Sequence, residues 1–507
     1  MARLASPIEQ IKNHYTVVIV GSGYGASIAA SRLARAGRQV CILERGKEFQ
    51  PGEYPNTELA AVEEMQATTP DGHVGSENGL YEFNVNPDIN VFKGCGLGGT
   101  SLVNANVALR AEPRVFDDAR WPKALKDEYA TLLKTGYQCA EEMLKPAPYP
   151  TTGFPDLPKL DALELSAKSL GAKFYRAPIN VNFNVNGQNH VGVDQRPCSC
   201  CGDCVTGCNY AAKNTLIMNY LPDAKNHGAE IYTGVDVRSV EPRGAGWLVH
   251  YNLLGPGREA FNAPEMTLNA DIVILGAGAL GSTEILLRSK ARGLALSAQV
   301  GERFTGNGDV LGFAYDTDKV INGVGWGHHP AGEIPPVGPC ITGVIDLREQ
   351  PVLDNGMVIE EGSPPGPIAG FLPSGLSIAS DLEGRAYADP QSGGHGEIEE
   401  DFEKLASWVE GPYHGAVHKT QTYLVMTHDD GAGRMALEND DLRIHWPGVG
   451  DQPIFTKVNQ TLKAASKPLA GQYVVDPLWS KLLRNNLMSV HPLGGCVLAE
   501  DAERGVV

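Results

Sequence analysis

The sequence predicts an α/β fold: a Rossmann-like domain built from discontinuous segments, with an inserted α+β unit on an antiparallel sheet. Three observations carry this. A β-branched run at 16–20 (TVVIV) leads into a glycine turn and a helical pattern. The same strand–glycine–helix logic returns far downstream, at 270–288, where ADIVIL feeds Gly276-Ala-Gly278-Ala-Leu-Gly281. Residues 310–480 are rich in Gly and Pro and carry alternating runs at 421–426 and 443–446, which reads as a mostly antiparallel sheet with helices.

The first unit is complete in itself. Strand 16–20 is followed by Gly21-Ser-Gly23-Tyr-Gly25-Ala26, a helical pattern to Ala36 with Gly37 as its stop, and a second strand at 39–43 (QVCIL) that closes on Glu44. In such a βαβ unit Gly21 allows the tight turn and Gly23 lets a pyrophosphate reach the backbone. Ala26 allows close helix–strand packing, and Glu44 can accept ribose hydroxyls. Residues 50–90 are polar with little periodicity and read as an irregular excursion. The stretch 113–143 reads as helical, and 149–189 as Pro- and Asn-rich with a short helix near 160–170. A helix is expected at 213–227 and a strand at 230–240.

Residues 94–106 (GCGLGGTSLVNAN) are the most telling stretch. A glycine-rich run lets backbone approach a flat or anionic ligand closely. A nicotinamide enzyme needs only the first glycine loop. Two such loops, the second with Thr100, Ser101, Asn104 and Asn106, suggest a larger cofactor held along its length, which points to a flavin.

The 507 residues allow two or three domains, and 20% charged with 42% hydrophobic residues is ordinary for a globular chain. The net charge of −18 without a basic run argues against a nucleic-acid partner. No apolar run is long enough for a membrane span, and residues 1–14 lack a signal-peptide pattern, so the expected location is cytoplasmic. Five of the ten cysteines fall at 198–208, unlike a secreted disulfide framework. Cys198, Cys201, Cys204 and Cys208 follow C-x2-C-x2-C-x3-C, with Cys200 as an extra. This is the iron–sulfur spacing of bacterial ferredoxins, although Asn209 stands where a proline usually follows and no second run exists. Zinc and a metal-free loop stay open beside it.

Five segments occur in a telling order: VVIVGSGYGAS (17–27), GCGLGGTSLVNAN (94–106), AKNTLIMNYLPDAKNHGAEI (212–231), VILGAGALGSTEILLRS (273–289) and HPLGGC (491–496). Together they resemble the glucose–methanol–choline (GMC) flavoprotein oxidoreductases, and among these the cholesterol-oxidase-like branch. The resemblance implies FAD, covalently bound or not. It also implies oxidation of the CH–OH group of a bulky, sterol-like alcohol by hydride transfer to the flavin, with oxygen, a quinone or an electron-transfer protein as acceptor. It puts Gly21, Gly23, Ala26 and Glu44 at the ADP moiety, and Gly98, Gly99 and Asn104 beside the flavin ring. Val237 falls where a strand passes adenine, Gly278 in the repeated glycine turn, and Asn307 and Asp309 (GNGDV) near the flavin.

His491, in HPLGGC, matches the active-site histidine that bonds the substrate hydroxyl or takes its proton. Glu361, in VIEEGSPPGPIAG, precedes a proline pair as the branch's catalytic glutamate does, with Glu360 as its alternative. The turn at His428-Asp429-Asp430 reads as structural and His328-His329 as a surface pair. The implied organisation is an FAD-binding domain from 14–110, 212–315 and 481–507, a linking region at 111–197, the cysteine cluster at 198–211 and a substrate-binding domain at 316–480. The family pattern continues past Val507 with an element whose asparagine partners the active-site histidine, so the expectation is a truncated chain. The competing expectations are an iron–sulfur-containing FAD dehydrogenase and a noncatalytic flavin-binding remnant.

Overall fold

The computed structural model describes residues 2–255, 263–370, 376, 411–479 and 485–506. Parts of the expected substrate unit (371–375, 377–410 and 480) and of the last segment (481–484) lie outside the described residues.

A six-stranded sheet runs in the order Glu230–Tyr232, Val40–Leu43, His14–Val20, Met266–Leu275, Gly246–Leu253, Val235–Arg243. The first four strands are parallel and the last two antiparallel. His14–Val20 pairs directly with Met266–Leu275, Val20 opposite Leu275, so both glycine turns leave the sheet side by side. The helix Tyr24–Arg35 buries only small residues, Ala26, Ser27, Ala30, Ser31 and Ala34. This lets it sit close to the sheet. Ala26 packs on Gly276 so tightly that a Cβ there would lie 2.6 Å from its own.

A second six-stranded sheet is antiparallel throughout, in the order Gln472–Val475, Val310–Tyr315, Gln421–Thr427, Met357–Gly362, Gly343–Asp346, Lys173–Arg176. Because strand side chains alternate, this sheet has two different faces. One carries Ile359, Tyr423 and Val425 into a core with Leu163 of helix Pro158–Leu170 and Phe455, Val458 and Leu462 of helix Pro453–Ser466. Each such buried side chain stabilises the fold by roughly 1.5–3 kcal/mol. The other face carries Glu360, Gly362, Thr422 and Leu424 toward a cavity. Val310–Tyr315 and Lys173–Arg176 both belong to this sheet, although by sequence they fall in the expected 212–315 and 111–197 segments.

Three local expectations need correction. The 50–90 stretch is not irregular. It holds helix Glu58–Glu63 and the strands Met65–Thr69, Gly72–Gly75, Tyr81–Asn84 and Ile89–Gly94, which with Leu487–Ser489 form a five-stranded sheet. Its polarity conceals the strands because Glu82, Asn84, Asn86 and Asn90 are buried polar groups. The 213–227 helix is shorter: a 3-10 turn, Leu216–Met218, then Tyr220–Asn226, capped by the Asn219 side chain accepting from the Tyr220 amide at 2.7 Å. The 230–240 strand breaks at Gly234 (φ +69°) into two strands at opposite edges of the first sheet. The 113–143 helix is recovered as a 3-10 turn, Pro113–Asp117, and a helix, Lys123–Leu144.

Candidate active site

A cavity of about 1590 Å³ runs between the first sheet's glycine turns and the open face of the second sheet. Its size exceeds the ~300–1,000 Å³ of a pocket for one drug-sized ligand, leaving room for a dinucleotide and a second molecule. Gly21, Gly23, Glu44, Gly99, Asn104, Val237, Gly278, Asp309 and His491 all line it. Ala26 and Gly98 do not; Ala26 is a packing residue, and Gly98 holds the loop's shape from behind.

The two glycine loops touch backbone to backbone. A Cβ on Gly99 (φ +54°) would fall 2.9 Å from the Gly23 Cα, and one on Gly21 (φ +88°) 2.7 Å from the Gly276 carbonyl oxygen. Ser22 joins them further: its hydroxyl donates to Glu44 Oε2 at 2.5 Å and accepts from the Gly98 amide at 2.8 Å. The Gly46 amide holds the other Glu44 oxygen at 2.8 Å. Burial pushes the Glu44 carboxyl pKa up despite these donors. Asn104 donates to the Tyr24 hydroxyl at 3.0 Å. Two helix N-termini, at Tyr24–Arg35 and Gly278–Ala291, open on the same space, where they favour an anionic group. The donor set, the close backbone approach and the buried, unpartnered Oδ1 of Asn106 fit a dinucleotide of FAD's kind.

At the far end stands His491. The strand Leu487–Ser489 runs parallel to Ile89–Gly94 and delivers the histidine to the cavity. Its Nδ1 lies 2.9 and 3.0 Å from the two Asp309 oxygens. Asp309 Oδ2 also accepts the amides of Val490 (2.8 Å) and His491 (3.2 Å) and the Ser489 hydroxyl (3.2 Å). Asp309 is itself placed by Asp429, which accepts the Gly306 and Gly308 amides at 3.0 Å each. An ionised Asp309 makes Nδ1 the protonated nitrogen and leaves Nε2 as the acceptor toward the cavity. Burial opposes protonation of this imidazole, but Asp309, by its charge and its hydrogen bond, outweighs it and holds its pKa above the ordinary value.

Glu360 and Glu361 occupy opposite faces of one strand. Glu360 lines the cavity, and its Oε1 has no hydrogen-bond partner. Burial, with Glu361 and Asp309 nearby and His491 opposing, pushes its carboxyl up to about 8. Glu361, the residue expected at the site, is fully buried on the other face. It accepts from Lys159 Nζ at 3.2 Å, the Thr342 amide at 2.7 Å and the Gly343 amide at 2.8 Å. The structure therefore brings Glu360, not Glu361, to His491. Strand alternation is the signal that separates them, and it needs the register of Met357–Gly362. Sequence reasoning also missed Arg45, Glu82 and Lys93, which form an ion-pair cluster on the cavity wall. Two of the three lie in the misread 50–90 stretch or beside it.

The iron–sulfur expectation is not met by the geometry. No three His, Cys, Asp or Glu side chains converge to hold a metal ion among the described residues, which include all four cysteines of the run. Two of the thiols meet backbone amides: Cys198 Sγ accepts the Cys200 amide at 3.4 Å, and Cys204 Sγ the Cys340 amide at 3.5 Å. The space they border is about 20 Å³, the scale of a single water molecule.

Fold and cavity together define a flavin-dependent oxidoreductase, and the comparisons agree. The GMC oxidoreductase family model matches residues 72–306 of this chain. The similarity runs to cholesterol oxidases. That of Mycobacterium tuberculosis is 25% identical over 532 residues, covering 98% of this chain and 84% of that protein. That of Acinetobacter baumannii is 28% identical over 60% of this chain and 57% of its own length. A long-chain-alcohol oxidase of Arabidopsis thaliana is 24% identical over 60% of this chain and 37% of its own. Among solved structures, pyridoxine 4-oxidase from Mesorbium loti shares the fold with a TM-score of 0.52 at 15% identity, covering 97% of this chain and 90% of that one. No described helix is long and apolar enough to cross a membrane.

Proposed function

We propose that this protein oxidises the CH–OH group of a bulky hydrophobic alcohol, sterol-like or long-chain, to a carbonyl, with FAD held between its two glycine loops. The observation that carries the reading is the His491–Asp309 pair at the end of a cavity floored by those loops. FAD, when bound, supplies the hydride acceptor. The residues of this chain do the rest. Gly21, Gly23, Glu44, Gly99 and Asn104 bind and orient the cofactor. His491 Nε2 accepts the hydroxyl proton of the alcohol, and Asp309 keeps the imidazole in the tautomer that can do so. Glu360, protonated at neutral pH, offers a hydrogen-bond donor beside the imidazole. The apolar lining, with Ile341, Phe313, Leu424 and Ile368, excludes water and suits a hydrophobic substrate.

The similarity to a cholesterol oxidase and a long-chain-alcohol oxidase supports this substrate class and oxygen as acceptor. A quinone or a partner protein remains the alternative acceptor. The test is turnover of a panel containing cholesterol, dodecanol and glucose by flavin-loaded protein, with His491→Ala beside it. Cholesterol or dodecanol is expected to turn over, and His491→Ala to lose turnover while keeping its flavin. Oxidation of glucose alone, or undiminished activity in His491→Ala, would overturn the reading.

A further inference from the structure

The cysteine run has the spacing of a metal-ligand set, yet among the described residues its side chains do not converge on a common point. We propose that segment 198–213 is a bracket between the two walls of the cavity, in which Asp203 positions the substrate-side wall and Lys213 the cofactor-side loop. The proposal rests on the reading of the cavity as an FAD and alcohol site.

At one end, Asp203 Oδ1 accepts the Gly366 amide at 2.8 Å and Oδ2 the Gly327 amide at 2.9 Å. Gly366 opens the short turn of helix that follows Ser363, Pro364 and Pro365, and these three line the cavity just beyond Glu360. The backbone of the run also holds the segments at 326 and 337–338, behind that wall. The Cys201 carbonyl accepts the Trp326 amide at 2.8 Å, and the Cys200 carbonyl those of Val337 and Gly338 at 2.9 and 3.0 Å. There is no slack in this junction. A Cβ on Gly366 would lie 2.3 Å from the Gly327 nitrogen, and one on Gly325 2.2 Å from Asp203 Oδ1.

At the other end, Lys213 is 2% exposed, and Nζ donates to the carbonyls of Leu102 (3.0 Å), Asn104 (2.6 Å) and Cys204 (2.9 Å). Three carbonyls use all three ammonium hydrogens. No carboxylate pairs with it among the described residues. Two of the acceptors belong to the 94–106 loop and the third to the cysteine run, so one buried cation ties them together. Burial lowers the Lys213 pKa to about 8, as expected for a cation held by dipoles alone. Cys204 adds a thiol contact to the Cys340 amide on the cavity wall. Neither Asp203 nor Lys213 borders the main cavity, so both are positioning residues.

The two ends predict separable effects in the flavin-loaded full-length chain. Asp203→Asn keeps the shape and one acceptor oxygen. It is expected to raise KM for dodecanol about tenfold, the worth of a charge-assisted hydrogen bond. Its kcat and bound flavin should match wild type. Lys213→Met is expected to lose bound flavin, with Lys213→Arg retaining it. Amide exchange at Gly327 and Gly366 is read on the same proteins and needs no turnover: it should quicken in Asp203→Asn. Unchanged exchange and KM in Asp203→Asn would overturn the bracket. So would loss of kcat and flavin alongside the rise in KM, or failure of Asp203→Asn to fold, since each places Asp203 in the fold at large. A wild-type protein without flavin or alcohol turnover would sink the functional reading alone, and the exchange measurement would still decide the bracket.

Discussion

Replacing Asp309 by Asn tests the His491 assignment at its most specific point. Oδ2 of Asp309 accepts two backbone amides and the Ser489 hydroxyl, whereas Oδ1 faces the imidazole at 2.9 Å. Asparagine must therefore keep its oxygen on the Oδ2 side, where the fixed amide donors are. Its NH2 then points at His491 Nδ1. A donor there forces the proton onto Nε2, and the nitrogen facing the substrate loses its lone pair. The geometry survives and the base is removed. The expected fall in kcat/KM is about 10²–10⁴-fold, the range for losing a positioned general base. The pH profile should change as well. In wild type the neutral imidazole is the active form, so kcat/KM rises with pH through a value above the ordinary 6.5. In the variant that raised limb disappears. The same linkage bears on stability. The His491–Asp309 contribution is fully present below the unfolded pKa and is lost as pH rises through the raised folded value. The assay is steady-state oxidation of dodecanol from pH 5 to 9, with bound flavin measured in each sample. If Asp309→Asn keeps its flavin and more than a third of wild-type kcat/KM at every pH, the tautomer reasoning is wrong.

Other perturbations read different parts of the site. Glu360→Gln mimics the protonated carboxyl, so activity near neutrality should survive while any break in the pH profile near 8 vanishes; loss of activity at pH 7 would instead make Glu360 a proton acceptor. Lys159→Met leaves the Glu361 carboxylate buried without its cation and should destabilise the fold by about 3–5 kcal/mol in denaturant unfolding. A cost near zero would mean that water or another group reaches Glu361. Gly21→Ala places a Cβ 2.7 Å from the Gly276 carbonyl oxygen at φ +88°, and should abolish flavin retention, checked by absorbance after desalting.

The sequence revealed what local chemistry dictates. The Gly21-x-Gly23 turn, its repeat at Gly276 and the 94–106 loop were legible because close backbone approach demands glycine, and the structure puts all three against one cavity. The antiparallel character of the second sheet followed from alternation at 421–426. What failed was hidden by tertiary context. Strands Tyr81–Asn84 and Ile89–Gly94 carry buried Glu82 and Asn84, which line the cavity, and Asn90, which bonds Asn486, and buried polar residues of this kind look like loop. The choice between Glu360 and Glu361 depended on one-residue register, which pairing with Leu424 and Tyr423 decides and composition cannot. The cysteine spacing suggested a cluster because spacing carries no information about where thiols point. Only the folded loop shows that, among the described residues, these side chains do not converge.

That an alcohol delivers hydride to a flavin seated between the two glycine loops is tested most directly by anaerobic mixing of the flavin-loaded protein with cholesterol or dodecanol, followed through the visible flavin band. Bleaching of that band by stoichiometric alcohol, abolished in His491→Ala at unchanged flavin content, is the predicted result. A band that persists with every alcohol offered, in a protein that demonstrably holds FAD, would contradict it.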